Sequence, residues 1–240
     1  MSALAIILAR AGSKGLPGKN TASVGGRPCI AWTIEAAQRS EQIGRVYVSS
    51  DDPDACSIAR TMDAESIERP AELASDLARV DDAARHAFET LGEPSERVVV
   101  LYANVPVRPE GLIDRALETL ARTRCDSVQS YAPVGKHHPW WTARVDEKTG
   151  MVRPWEGSVL NHGVYRRQDL PEACVPDGGV IACTADALML RLGIDDGPHA
   201  FFGRDRRGVM TGVGQVIDID TRIDQIVADA VLRDGEGTNL

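Results

Sequence analysis

An α/β fold, a mostly parallel sheet covered by helices on both faces, is what this sequence predicts, and three observations carry it. Strand-type apolar runs alternate with amphipathic helix-type stretches from Leu4 to Tyr131. Three of those strand-type runs end in polar clusters: a glycine-rich loop after Leu8, Ser49-Ser50-Asp51-Asp52, and Asn104 to Arg108. Ligands of open α/β sheets gather at such carboxyl ends of strands. The chain has 240 residues, enough to bury a full core as one domain spanning 1–240.

Residues 4–8 read as the first strand. Residues 28–40 read as a helix with Ile30, Thr33, Ile34 and Ala37 on one face and Pro28 suited to its first turn. A strand follows at 45–50, a helix at 53–62 introduced by Asp51-Asp52, and a short strand at 65–67. Residues 81–91 are helical, 98–103 form a strongly apolar strand, and 109–122 form a helix lined by Leu112, Ile113, Ala116, Leu117 and Leu120. A further strand lies at 126–131. The alternation then stops. Residues 133–175 hold three of the four tryptophans and lack helical periodicity, so they read as a protruding β-arm of interface-like composition. His137 and His138 are adjacent and would project to opposite sides of an extended strand, which favours packing over a shared zinc site. Beyond the arm come a strand at 179–183, a helix at 185–192, a strand at 213–219 and a closing helix at 221–233.

Lysine and arginine number 27 against 35 aspartates and glutamates, a formal net charge of −8. That balance argues against nucleic acid as a partner, because such binding needs a broad basic face; a small anion met by a few local cations remains compatible. No apolar run is long enough for a membrane span, so no membrane partner is expected. The N-terminal apolar run lacks a basic lead and passes straight into the glycine loop, as a strand does and a signal peptide does not. Five scattered cysteines without a C-x-x-C pair indicate reduced, mostly core thiols and a cytoplasmic location.

The glycine loop is the most informative stretch. Gly12, Gly15 and Gly18 recur every third residue, so backbone N–H groups can curl around an anion, and Arg10, Lys14 and Lys19 bring positive charge to it. It is neither a Walker A loop nor a dinucleotide fingerprint: Ser13 stands five positions before Gly18, Asn20 follows the lysine, and no G-x-G-x-x-G occurs. Near the other end, Asp218-Ile219-Asp220 closes the expected 213–219 strand. Alternation places both carboxylates on one face, a donor set suited to Mg²⁺ (or Mn²⁺) completed by phosphate oxygens. Acids favouring a helix N-terminus give the same pattern. The phosphate cradle on the first strand tips the balance to the metal.

Four ordered segments, residues 10–20, Glu68-Arg-Pro-Ala-Glu-Leu-Ala-Ser-Asp76, Gln168-Asp-Leu-Pro171 and Ile217-Asp-Ile-Asp-Thr221, resemble the acylneuraminate cytidylyltransferases, the CMP-sialic acid synthetase group. The resemblance runs over nearly the whole chain. It implies a Rossmann-like fold of the nucleotide-diphospho-sugar transferase type. It also implies a reaction: the anomeric hydroxyl of a 2-keto-3-deoxy acid sugar attacks the α-phosphate of CTP, and pyrophosphate leaves. By the same resemblance Ala9, Arg10, Gly12, Ser13, Lys19 and Asn20 bind nucleotide, Arg10 and Lys19 being catalytic, and Arg69 meets the cytosine. Asp218 and Asp220 would hold the metal, and Tyr102, Asn104, Arg167, Gln168 and Asp177 would face the sugar. A homodimer is implied too, with the 133–175 arm packing on the partner and supplying sugar contacts in trans.

Departures cluster at the sugar end. Where the family usually reads Leu-Gln-Pro-Thr-Ser-Pro-Leu-Arg, residues 101–108 read Leu-Tyr-Ala-Asn-Val-Pro-Val-Arg. Tyr102 thus replaces the glutamine that touches the acceptor, and Asn104 and Val105 replace small hydroxyls. Leu77-Ala-Arg-Val80 replaces a hydroxyl-bearing stretch, Asp177 stands for an asparagine, and Trp141 for a basic arm residue. The expectation is cytidylyl transfer to an unusual acid sugar, or weak activity on ordinary sialic acid. Rival readings are a metal-dependent glycosyltransferase, whose Asp-x-Asp usually sits mid-domain, and a degenerate relative that binds nucleotide without turnover.

Overall fold

A computed structural model describes residues 2–12, 15–92, 94–197 and 199–235; Ser13 and Lys14 of the glycine loop lie outside the described residues. The first strand, β1 (Ala3–Ala9), is buried throughout. Its side chains alternate: Ala3, Ala5, Ile7 and Ala9 enter one core layer, Leu4, Ile6 and Leu8 the other. After the glycine loop, β2 (Ser23–Val24) and β3 (Arg27–Pro28) make a tight hairpin that leads into α1 (Cys29–Gln38). Then come β4 (Ile43–Ser50), α2 (Pro53–Thr61), β5 (Glu65–Glu68), α3 (Ala71–Ala74), α4 (Val80–Leu91), β6 (Arg97–Tyr102), α5 (Leu112–Thr123) and β7 (Ser127–Pro133). The chain continues through β8 (Ala143–Val145), β9 (Val152–Pro154), β10 (Cys174–Thr184), α6 (Ala185–Leu188), β11 (Arg206–Met210) and α7 (Arg222–Gly235).

Seven strands form one sheet in the order β11-β7-β10-β6-β1-β4-β5. Only β10 runs against its neighbours; the other pairs are parallel. Helices α1, α2 and α5 cover one face through Ile30, Ile34, Ala59, Leu117 and Leu120. The opposite face is covered by α4 and α6, with Ala84, Ala87, Phe88 and Leu188, and by Phe201 and Phe202. Each large side chain so buried contributes about 1.5–3 kcal/mol. The expected α/β architecture is therefore present, with β1 and β6 paired at the buried centre of the sheet.

Three expected elements differ. Residues 213–219 form no strand: Gly212 N donates to Gln215 Oε1 at 2.7 Å, Gly214 turns at φ +77, and a lone bridge joins Ile217 to Val107. The alternation survives without a ladder, because Ile219 is fully buried beside Val24, Cys29 and Ala228. Sheet pairing goes instead to β11, whose five residues bury only Val209, so its apolar pattern is faint. Residues 185–192 keep only the short α6, since the chain turns at Leu190 with φ +55. The arm carries one exposed hairpin, β8–β9, and four short 3₁₀ turns, and its last residues belong to β10. His138 packs as expected: its Nδ1 accepts from Trp140 N at 3.1 Å and its Nε2 lies 3.2 Å from the Pro171 carbonyl oxygen. All five cysteines are free. Among the described residues no helix is long and apolar enough to cross a membrane.

Candidate active site

The carboxyl ends of β1 and β6 open onto a cavity of about 210 Å³ lined by Arg10, Lys19, Asn20, Arg69, Tyr102 and Asn104. Ser75, Asp76 and Arg79, between α3 and α4, line its other wall. A wider cleft of about 1110 Å³ shares Arg69 and Ser75 with it and reaches Gly12, Asp51 and Asp52 at the end of β4. Thus six of the expected nucleotide and sugar residues share one cavity, with Gly12 in the adjoining cleft.

The loop leaving β1 is pinned at both ends. Ser50 Oγ donates to the Ala9 carbonyl, Ala11 N donates to Asp51 Oδ1 at 2.8 Å, and Asn20 Nδ2 donates to the Arg10 carbonyl at 2.9 Å. Asn20, 5% exposed, is a strut that fixes the loop's return. A β-carbon at Gly15 would stand 2.4 Å from the Asp220 carbonyl oxygen, so only glycine fits there without a backbone shift. Beside that contact Lys19 Nζ donates to Asp220 Oδ1 at 2.6 Å. These two contacts tie the loop to the aspartate segment from the far end of the sequence.

Arg10 Nη1 donates to Asp76 Oδ1 at 2.9 Å and to the Ser75 carbonyl at 3.2 Å. Arg69, 6% exposed, donates from Nη2 to the Ser49 carbonyl at 2.7 Å and from Nε to Ser49 Oγ at 3.2 Å. Burial draws its guanidinium down to about 10, with Asp51 opposing and Arg10 assisting. Arg69 thus stays protonated at neutral pH, a buried cation turned toward both cavities. Arg79 is tethered to Asp81 at 2.6 Å and Asp196 at 2.8 Å.

The carboxylates are set by Asn104. Its Nδ2 donates to Asp218 Oδ1 and, at 3.1 Å, to the Ile219 carbonyl, while Ile219 N donates to Asn104 O at 2.9 Å. Burial of its inner edge, then repulsion from Asp220, push the Asp218 carboxyl up to about 6, with Lys19 pulling the other way. Thr221 and Asp224 cap α7 reciprocally, Thr221 N donating to Asp224 Oδ2 at 2.7 Å, which anchors the segment. Gly178 (φ +75) leaves a hollow beside Asp218: a β-carbon there would lie 3.8 Å from Asp218 Oδ2. Two adjacent carboxylates with one oxygen each engaged and this hollow beside them fit a Mg²⁺ ion that shares its shell with phosphate. Among the described residues no cluster of three or more His, Cys, Asp or Glu side chains forms a complete metal site, here or elsewhere, so phosphate and water oxygens would have to complete the shell.

The remaining expected sugar residues are placed elsewhere. Asp177 accepts from Ser130 Oγ, from Gly179 N at 3.0 Å and from Thr211 Oγ1 at 2.5 Å. Both its oxygens therefore brace the irregular pairing of β10 with β7. Arg167 lines a separate hollow at the foot of the arm with Gly135, His138 and Pro171, and Gln168 is exposed next to it. Arg108 was not among the expected site residues. Its guanidinium donates from Nε to Gly179 O at 2.7 Å, from Nη1 to Thr33 Oγ1 at 2.8 Å and to Val105 O, and from Nη2 to Tyr102 O at 3.0 Å. An arginine closing an apolar strand-end run was the available signal. Gly178 had none beyond being a glycine.

Comparison with known proteins gives the family and a similar fold. The sequence profile of the cytidylyltransferase family fits residues 4–146, more than half of the chain. The chain belongs to the cytidylyltransferase family. It is 30% identical over 228 residues to an N-acylneuraminate cytidylyltransferase of Streptococcus agalactiae, covering 94% of this chain and 52% of that protein. It thus spans about half the length of several curated relatives it matches. A pseudaminic acid cytidylyltransferase of Campylobacter jejuni is 34% identical over 193 residues, 79% of this chain and 81% of that one. The fold is similar, with a TM-score of 0.73 over 98% of this chain and 99% of the other, to a CMP:2-keto-3-deoxy-manno-octonic acid synthetase solved with CTP, at 16% identity. The family match takes in β1 from Leu4 onward, together with β4 and β6, the strands whose ends carry the cavity.

Proposed function

We propose that the chain transfers CMP from CTP to the anomeric hydroxyl of a 2-keto-3-deoxy acid sugar, a sialic or related nonulosonic acid, releasing pyrophosphate. The observation that carries this reading is the Lys19–Asp220 contact, which brings the anion loop and the carboxylate pair to one place. Arg10 and Lys19 are suited to the triphosphate; Asp76 and Asp220 hold the two cations and would release them to phosphate oxygens. Arg69 at the shared wall is placed for the base. Asp218 and Asp220 would hold Mg²⁺, which when bound neutralises charge on the reacting phosphate. Catalysis is then positioning and electrostatic stabilisation, since in-line phosphoryl chemistry asks little covalent work of the protein.

The relatives' names, one for N-acylneuraminate and one for pseudaminic acid, support an acidic sugar as acceptor. A cytoplasmic enzyme and a dimer through the 133–175 arm belong to the same proposal. Val145, Trp155 and Tyr165 on the arm are 62%, 55% and 90% exposed, as an interface element would be when seen alone. Pyrophosphate release from CTP and Mg²⁺ tests the reading. It should require an acid sugar; release without one, or none across octulosonic and nonulosonic acids, would reject it.

A further inference from the structure

Two cations of the proposed triphosphate end are spent inside the protein, on different kinds of partner. Arg10 Nη1 donates to Asp76 Oδ1 at 2.9 Å, on the wall between α3 and α4. Lys19 Nζ donates to Asp220 Oδ1 at 2.6 Å and to no other group among the described residues. The lysine is the inner member, its side chain 15% exposed against 70% for the aspartate. Asp220 thus has one oxygen on an ammonium and is otherwise open to solvent.

The backbone around this pair is fixed. A β-carbon at Gly15 would meet the Asp220 carbonyl oxygen at 2.4 Å, so the loop and the aspartate segment already touch. Asp220 N and Thr221 N both donate to Asp224 Oδ2, at 3.2 and 2.7 Å. What is left to move is the two side chains. Asp218 differs, because its Oδ1 is held by the Asn104 amide, which carries no charge.

Asp220 cannot serve the Lys19 ammonium and a divalent cation together without setting like charges side by side. A triphosphate that draws Lys19 away leaves Asp220 a full charge without a cation, and an Asp220 engaged by a divalent cation leaves Lys19 free for phosphate. Resting on the cytidylyl-transfer reading, we infer that Lys19 and Asp220 are an exchange pair that couples triphosphate binding to divalent-cation binding, each side chain being released to its ligand as the other is. Such coupling is reciprocal, and for a pair with one exposed member about fivefold is expected. The Arg10–Asp76 pair lacks it, since Asp76 is not one of the aspartates proposed for the metal.

The test is CTP affinity by isothermal titration, in EDTA and in Mg²⁺, for the wild type, Asp220→Asn, Lys19→Met, the double variant and Asp76→Asn. In EDTA, Asp220→Asn should bind CTP about fivefold more tightly than the wild type, although it removes a proposed metal ligand. In the Lys19→Met background the same substitution should change the affinity less than twofold. An equal gain in both backgrounds would mean plain repulsion between Asp220 and the triphosphate and overturns the inference, as does no gain at all. The gain from Asp220→Asn should vanish in Mg²⁺, whereas that from Asp76→Asn should be the same in both conditions; a gain from Asp220→Asn that persists in Mg²⁺ also overturns it. Without nucleotide, Mn²⁺ titrated by electron paramagnetic resonance should bind Lys19→Met about fivefold more tightly than the wild type, and unchanged binding contradicts the reciprocal half. Asp220→Ser stands in should Asp220→Asn not fold. If Lys19→Met binds CTP too weakly to titrate, the EDTA-against-Mg²⁺ contrast and the Mn²⁺ titration decide. A wild type that binds CTP in neither condition rejects the cytidylyl-transfer reading itself.

Discussion

The two ends of the cavity are held by different forces. At the end proposed for the triphosphate, charges bridge distant segments: Lys19 reaches Asp220 and Arg10 reaches Asp76. At the end proposed for the acceptor, Arg108 and Asn104 hold the floor through carbonyls, a hydroxyl and one inner carboxylate oxygen, and Tyr102 lines it. The difference separates two tasks. Paired charges at an open cavity can exchange partners with a triphosphate, while a buried hydrogen-bonded floor cannot rearrange and so keeps a fixed shape for the acceptor.

The largest effect should come from removing charges that serve the reaction. Lys19→Ala and Asp218→Ala should each lower kcat for pyrophosphate release about 10²–10³-fold with little loss of melting temperature. A change confined to KM for CTP would mean that this end only binds, and the contrast between the two ends would collapse.

Arg108→Met should act through stability instead. It removes the donor to the Gly179 carbonyl and one of the donors to the Val105 and Tyr102 carbonyls, at a cost of about 1–3 kcal/mol, or roughly 2–12 °C in melting temperature for a chain of this size. A melting temperature within a degree of wild type would show that the floor is not held this way.

Gly15→Ala sharpens the comparison at the other end. Its β-carbon must displace the Asp220 carbonyl, so KM for CTP should rise about tenfold, by the same order as a small overpacking penalty of 1–3 kcal/mol. Isothermal titration with CTP checks it, and unaltered affinity would show that the loop need not touch the aspartate segment.

The smallest effect is expected from Asp76→Asn, which frees Arg10 from a half-exposed pair. Such pairs are worth about 0–1 kcal/mol, so CTP should bind up to about fivefold more tightly, with a steeper salt dependence because no protein ion pair is broken in exchange. Weaker binding would make Asp76 a ligand contact and not a competitor.

How much of this was legible in the sequence follows the same division. Strand β1 with its glycine loop, the apolar β6 and the helices α1, α2, α4 and α5 each carry strong local periodicity, and they lie where the sequence predicts them. The carboxylate pair was legible too, but for an incomplete reason. Ile217 and Ile219 alternate with Asp218 and Asp220 because a small core buries Ile219, although no ladder forms there. The edge strand β11 was hidden, because Arg206 and Arg207 at its start mask its one buried residue. The acceptor floor was least legible. Asp177 reads as an added negative charge, yet Ser130 and Thr211, remote in sequence, consume both its oxygens. Whether a polar side chain faces a ligand or braces the backbone depends on long-range partners that local pattern does not record. The same holds for Arg108, whose four acceptors are distributed over α1, β10 and the end of β6.

The most direct test of the account is pyrophosphate release from CTP by the purified chain, with and without an acid sugar and with Mg²⁺ present or removed by EDTA. The account predicts release only when acid sugar and Mg²⁺ are both present, and its loss in Lys19→Ala and Asp218→Ala. Release that persists in EDTA, or in Asp218→Ala, would contradict the joining of anion loop and carboxylate pair into one catalytic site.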